Sequence, residues 1–190
     1  PVLAFIGRLF YEKGIEILPE ALAVLLRERK YAQVVILGSG SPEHEAALRQ
    51  MAEEVGEERL ALRLEFNNAL AHQLYAGADI LLMPSRFEPC GLNQMYALTY
   101  GTIPVVHAVG GLRDTVEEWA PLDRTGNGFR FEAFAAQAFL DSIMTALDTY
   151  DEPDAWRCLQ QNAMADDWSW LSSAQRYAGV YEAVLNRDVK

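Results

Sequence analysis

A chain of 190 residues is long enough for one domain with a full core, and its 51% hydrophobic and 23% charged residues have the balance of a globular protein. No apolar run approaches the roughly 18 residues needed to cross a bilayer, which excludes a membrane span, and the formal net charge of -11 repels nucleic-acid backbones, which excludes nucleic acid as a partner. A phosphate-bearing ligand must therefore be small and held by a few local cations. Cys90 and Cys158 are too few for a disulfide framework and indicate a reducing compartment.

The opening Pro1-Val2-Leu3-Ala4-Phe5 has neither Met nor a basic leader and enters directly on a strand-like run, which reads as part of a longer protein. Val2–Leu9 is the first expected strand and Ile15–Arg29 the first helix, with Pro19 early enough for its missing N–H to be tolerated. Gln33–Leu37 is the next strand. Ser41-Pro42-Glu43 then opens a helix, with a cap, a first-turn proline and an acid at the positive end. Leu60–Phe66 reads as a strand, followed by a helix to about Gly77. Asp79–Pro84 is a near-continuous apolar strand, Leu92–Tyr100 a helix and Pro104–Val109 a further strand. After the polar loop Pro121–Gly128 the pattern reads as helical throughout, over Glu132–Thr149, Pro153–Ala165 and Ser172–Leu185. Continuous apolar strands alternating with helices predict an α/β fold, a doubly wound, Rossmann-like, mostly parallel sheet. One domain over 1–190 with a helical C-terminal segment at 153–190 is expected.

In such a sheet, ligands bind beyond the carboxyl ends of the strands, and the informative residues fall there. Gly7-Arg8-Leu9-Phe10-Tyr11-Glu12-Lys13-Gly14 places Arg8 and Lys13 on one loop, where two cations can neutralise a diphosphate. Ser85-Arg86-Phe87-Glu88-Pro89-Cys90-Gly91-Leu92 follows another strand. Gly91, Leu92 and Asn93 would present free amides at a helix start, and Glu88 suits sugar hydroxyls better than phosphate. Cys90 reads as a small packing residue. Val109-Gly110-Gly111-Leu112 forms a third elbow, whose glycines would expose amide hydrogens. Without such a context, each of these features reads equally well as solvated loop charge or turn chemistry. The chain has no G-x-G-x-x-G, no Walker A loop and no G-x-S-x-G elbow, which disfavours a dehydrogenase, an NTPase and an α/β-hydrolase. His44, His72 and His107 do not fall at metal-ligand spacing and read as surface or supporting residues.

The run Ser85–Gln94, followed by Tyr100-Gly101-Thr102-Ile103-Pro104-Val105-Val106 and by Gly110-Gly111-Leu112-Arg113-Asp114-Thr115-Val116, resembles the signature of the starch and glycogen synthase family. Gly7-Arg8-Leu9 with Lys13-Gly14, Ala71-His72 with Tyr75–Asp79, and Trp168-Ser169-Trp170 extend the likeness to nearly the whole chain. The stretch around His107 looks closer to plant-type synthases than to the common bacterial form, which carries Arg there. The resemblance implies the C-terminal, donor-binding half of a two-domain GT-B glycosyltransferase, with the N-terminal acceptor domain absent from this chain. It implies a hexosyltransferase with retaining, metal-free transfer of glucose from ADP-glucose to an α-1,4-glucan, no cofactor, and a plastid or cytoplasmic setting. Arg8 and Lys13 would bind the diphosphate, Glu88 the glucose, the Gly91–Asn93 amides the phosphate and Phe66 the adenine. Gly110, Gly111 and Leu112 would also bind the donor, and so would Tyr96, which stands where the wider transferase group has a second Glu. A UDP-glucose transferase of the same type and a non-catalytic nucleotide-sugar or glucan-binding module are the alternatives. The isolated chain is expected to bind nucleotide weakly and to transfer nothing.

Overall fold

The structure, a computed structural model, describes residues 1–185; residues 186–190 of the expected helical segment lie outside the described residues. Strands β1 (Val2–Ile6), β2 (Gln33–Leu37), β3 (Leu60–Arg63), β4 (Ile80–Met83), β5 (Ile103–His107) and β6 (Phe129–Phe131) form one sheet. Their order is β3-β2-β1-β4-β5-β6 and every described pairing is parallel. This is the doubly wound order, in which the strand sequence reverses beside β1 and opens a crevice there.

The helices are α1 (Leu18–Glu28), α2 (Pro42–Val55), α3 (Asn68–Gly77), α4 (Asn93–Tyr100), α5 (Gly110–Thr115), α6 (Ala136–Tyr150), α7 (Pro153–Ala165) and α8 (Trp170–Leu185). Their starts follow local chemistry. The Ser41 hydroxyl accepts the His44 N–H ahead of Pro42, and the Asn67 carboxamide oxygen accepts the Leu70 N–H at 3.0 Å. Pro19 sits in the first turn of α1, where no hydrogen bond is lost.

Alternation along the strands sends Leu3, Phe5, Ile80, Leu82, Ile103 and Val105 to one face. There they meet Leu22 and Leu25 of α1, Phe139 and Ile143 of α6, and Leu159 of α7 in one large apolar cluster. The opposite face carries a smaller cluster in which Ala4, Leu81, Met83 and Val106 pack on Tyr75 of α3, Ala97 of α4 and Leu112 of α5. Helix α8 contributes no buried residue.

Two expectations change. The strands are shorter at their carboxyl ends than the apolar runs suggested: β1 stops at Ile6, with Leu9 only bridging Gly40, and β3 stops at Arg63. The region after Gly128 is not helical throughout, because Phe129-Arg130-Phe131 forms β6 against β5 before α6 begins. Phe129 and Phe131 are buried and Arg130 is half-buried, a period of two packed into three residues.

Candidate functional site

All six strands run the same way, so the loops after β1, β4 and β5 meet at one edge of the sheet, and they carry Arg8, Glu88 and Gly110 respectively. The chain leaving β1 makes a single 3₁₀ turn at Tyr11–Lys13, closed by Gly14 in the left-handed region at φ 68°. A side chain at Gly14 would put a Cβ 1.8 Å from the Pro84 carbonyl oxygen, so only glycine lets this turn lie on the loop after β4. The two segments are then joined. The Glu12 carbonyl accepts the N–H groups of Arg86 and Phe87 at 3.0 and 3.3 Å. The Arg86 guanidinium pairs with Glu16 and stands 4.2 Å from the Tyr11 ring centroid and 3.8 Å from that of Phe134.

These contacts bring Lys13 to Glu88, and the Lys13 ammonium donates to Glu88 Oε2. Ser85, itself buried, donates to the same oxygen at 3.2 Å. Glu88 is not the exposed loop acid that its position alone suggests, since its side chain is only 11% exposed. His107, read from sequence as a surface or supporting residue, is buried in β5 and holds this loop from behind. Its Nδ1 lies 2.8 Å from the Ser85 carbonyl, and its ring stacks on Phe131 at 5.1 Å.

The amides of Gly91, Leu92 and Asn93 find no backbone acceptor among the described residues, and α4 starts without a side-chain cap. Asn93 Nδ2 donates to the Ile6 carbonyl at 2.7 Å, which pins this helix start to the end of β1. Buried Gln94 ties it to α5, with Nε2 donating to the Cys90 carbonyl at 3.0 Å and to Thr115 Oγ1 at 3.1 Å. The third elbow works differently from the sequence expectation. The Gly111 N–H donates to the Glu88 carbonyl at 3.0 Å and the Leu112 N–H to the Val109 carbonyl at 3.0 Å, so neither amide is free. A Cβ at Gly111 would stand 1.9 Å from the Cys90 carbonyl oxygen and one at Gly110 2.2 Å from that of Glu88. The glycine pair seats the Glu88–Cys90 backbone, and of its two amides only that of Gly110 finds no backbone acceptor among the described residues. Cys90 is exposed, not a packing residue, because only its backbone enters that contact.

Beside this loop cluster lies a cleft of about 280 Å³ at the ends of β1 and β2. Arg8, Phe66, Asn93 and Tyr96 line it together; Lys13, Glu88, Gly91, Leu92 and Gly110–Leu112 lie outside its lining. Phe66, three residues beyond the end of β3, is 91% exposed and so is not core. Two of the lining residues that the sequence did not single out as site residues stand out. His72 and Tyr75 form a ring cluster with Tyr96, at centroid separations of 5.5 Å for His72–Tyr96 and 5.6 Å for Tyr75–Tyr96. Burial, reinforced by the nearby Tyr96 hydroxyl, pushes the Tyr75 phenol up to about 12. A helical spacing of three from His72 to Tyr75 was the available signal.

The sequence that builds this sheet matches the family model described as glycosyl transferases group 1 over residues 1–161. The chain belongs to the group 1 glycosyl transferases. Among curated members, the glycogen synthase of Cellvibrio japonicus (strain Ueda107) is 50% identical over 184 residues, which is 95% of this chain and 37% of that protein. The chloroplastic/amyloplastic starch synthase 2 of Arabidopsis thaliana is 45% identical over 184 residues, covering 96% of this chain and 23% of that protein. Among solved structures, the catalytic domain of starch synthase IV from Arabidopsis thaliana, bound to ADP and acarbose, superposes with a TM-score of 0.82 at 33% identity. That match covers 96% of this chain and 38% of the other. This group 1 transferase chain therefore spans well under half the length of the relatives it matches. None of its described helices is long and apolar enough to cross a membrane.

Proposed function

We propose that the chain is the donor-binding part of a starch or glycogen synthase, a glucosyltransferase that takes ADP-glucose as donor and an α-1,4-glucan as acceptor. The observation that carries this reading is the cleft in which Arg8, exposed Phe66 and the pinned start of α4 come together beside the Lys13–Glu88 pair. An exposed aromatic ring at one end suits a purine base, and a guanidinium beside uncapped helix amides at the other suits a diphosphate. Gly91 and Leu92, next to that helix start, would add amides to the diphosphate site. Glu88, half-buried and already accepting two hydrogen bonds, is a fixed acceptor for glucose hydroxyls.

In the transfer the bond between the sugar C1 and the diphosphate oxygen breaks, and both electrons leave on that oxygen. The acceptor hydroxyl oxygen forms the new bond to C1, and its proton passes to the departing diphosphate oxygen. Arg8 and Lys13 stabilise the charge growing on the departing diphosphate, which favours the transition state over bound donor. The glycines at 110 and 111 act at one remove by seating the Glu88 backbone. A glucan acceptor would engage mainly parts of the longer protein that this chain does not include. The test is glucosyl transfer by the full-length protein with ADP-glucose and UDP-glucose in competition. Preference for UDP-glucose would replace the donor, and absence of transfer with intact ADP binding would make the chain a binding module.

A further inference from the structure

We propose that His107 is a positioning residue for the transfer: acting through Ser85, it fixes the Glu88 carboxylate and so sets the rate of the sugar step without altering nucleotide binding. The proposal rests on the donor-site reading above.

His107 ends β5, whose other residues are apolar and buried, and it is buried itself. A buried polar side chain in an apolar strand persists where it satisfies a group that would otherwise stay unpaired. Here that group is the Ser85 carbonyl. Ser85 is buried too, and no backbone N–H reaches its carbonyl among the described residues. His107 Nδ1 stands 2.8 Å from that oxygen, and Nε2 stands 3.3 Å from the Glu132 carbonyl. Both neighbours are acceptors and a neutral imidazole carries one N–H, so the shorter contact assigns the proton to Nδ1. Stacking on Phe131 at 5.1 Å and a tilted contact with Phe134 at 5.3 Å hold the ring in place.

Ser85 carries this restraint forward. Its carbonyl is fixed by His107, and its hydroxyl donates to Glu88 Oε2 at 3.2 Å. The rest of the loop is gripped by backbone groups, since the Glu12 carbonyl takes the Arg86 and Phe87 N–H groups and the Gly111 N–H donates to the Glu88 carbonyl. None of those contacts aims the Glu88 side chain. The Lys13 ammonium and the Ser85 hydroxyl share Oε2, and no described hydrogen bond uses Oε1. Under the donor-site reading Lys13 turns toward the diphosphate as charge grows there, and a carboxylate held by Lys13 alone would be drawn after it. The Ser85 hydroxyl, aimed by His107, keeps the carboxylate where it is and leaves Oε1 for a sugar hydroxyl.

Glucosyl transfer from ADP-glucose by the full-length protein, with calorimetric binding of ADP, tests this. His107→Phe keeps an aromatic ring on Phe131 and removes the donor. It should lower kcat about 3- to 10-fold, the span of one neutral hydrogen bond, with ADP affinity unchanged. His107→Asn, whose amide nitrogen falls where Nδ1 stands, should recover most of that loss. Ser85→Ala cuts the relay at its other link and should cost a similar amount, and the two changes together should cost no more than either alone. Additive losses overturn the proposal, because the two residues would then act independently. So does an Asn variant as slow as the Phe variant, or ADP affinity that falls in step with kcat, either of which would make His107 a general support of the fold. Should His107→Phe fold poorly, Ser85→Ala decides, and an unchanged kcat there overturns the proposal. A wild type that binds ADP but transfers no glucose removes the proposed function and this inference with it, a result distinct from the others.

Discussion

Lys13 and Glu88 lie 75 residues apart in the chain and form an ion pair between the turn after β1 and the loop after β4. Lys13 closes a single 3₁₀ turn and Glu88 lies in a loop, so neither sits on a long element. The pair exists because Gly14 lets the two loops touch and because Arg86 and the Glu12 carbonyl clamp them together. A cation and a carboxylate are therefore held at one point, which under the proposed function would serve the phosphate and the sugar of the donor.

Removal of either cation should slow transfer far more than it weakens binding. Arg8→Ala or Lys13→Ala is expected to lower kcat about 10²- to 10³-fold, as for loss of one preorganised donor. The KM for ADP-glucose should change less. Arg8→Lys should not rescue, because a point charge cannot make a two-pronged contact. Glu12→Ala should be nearly silent, since the fold uses only the carbonyl of Glu12. Steady-state kinetics on the full-length protein decide, and a pure KM effect would reduce the loop to a generic anion contact.

Phe66 supplies a cleaner test of the base site than a buried ring could. It is 91% exposed, so Phe66→Ala should leave the melting temperature unchanged. ADP affinity should fall by roughly 1–3 kcal/mol, the range for a base stacked on an aromatic ring, and Phe66→Tyr should be close to neutral. Calorimetry that found unaltered ADP binding in Phe66→Ala would place the base elsewhere.

Gly14→Ala should damage both stability and activity. The added Cβ would meet the Pro84 oxygen at 1.8 Å, and φ 68° is unfavourable for alanine, a backbone penalty of about 1–3 kcal/mol before the clash is counted. Gly77→Ala is the control, because nothing stands within 4 Å of its Cβ position. Thermal melting of the two variants should separate them clearly.

Tyr75 should make the fold sensitive to alkali. Its native value of about 12 lies above the ordinary 10, so the folded chain keeps a proton that the unfolded chain gives up. Stability from this group is therefore full below pH 10 and lost as pH rises toward 12. Urea unfolding across that interval should show a shallower decline for Tyr75→Phe than for wild type; parallel declines would contradict the burial of an intact phenol.

Much of the fold was legible because the strands β1, β2, β4 and β5 are unbroken apolar runs between helices with ordinary starts, such as Ser41-Pro42. β6 was not legible, since three residues flanked by a polar loop carry too little period to separate from the start of α6. The candidate site residues were chosen through their position at strand ends and through a family likeness, and of them Arg8, Phe66, Asn93 and Tyr96 share one cleft. The contribution of Tyr75 and His107 was hidden because apolar neighbours in sequence say nothing about which polar atom faces a cavity or a carbonyl. The close approach of the Glu88 and Cys90 backbone to Gly110-Gly111 was hidden for the same reason, since a glycine pair looks alike in sequence whatever it stands against.

The strand order governs how the chain can be made. Leu3 pairs with Val34 on one side and with Ile80 on the other, so β1 keeps an open edge until β4 has been synthesised. The cleft lining runs only from Ile6 to Tyr96, but Leu22 and Leu25 of α1 need Phe139 and Ile143 of α6 to cover them. A nascent chain released after α4 would carry every wall residue of the cleft on a sheet with one face only partly covered, by α1 and α2. Such a topology closes slowly, through contacts distant in sequence, and leaves sticky intermediates on the way. Protection by a chaperone during elongation should raise the yield of active protein more than any delay after synthesis is complete.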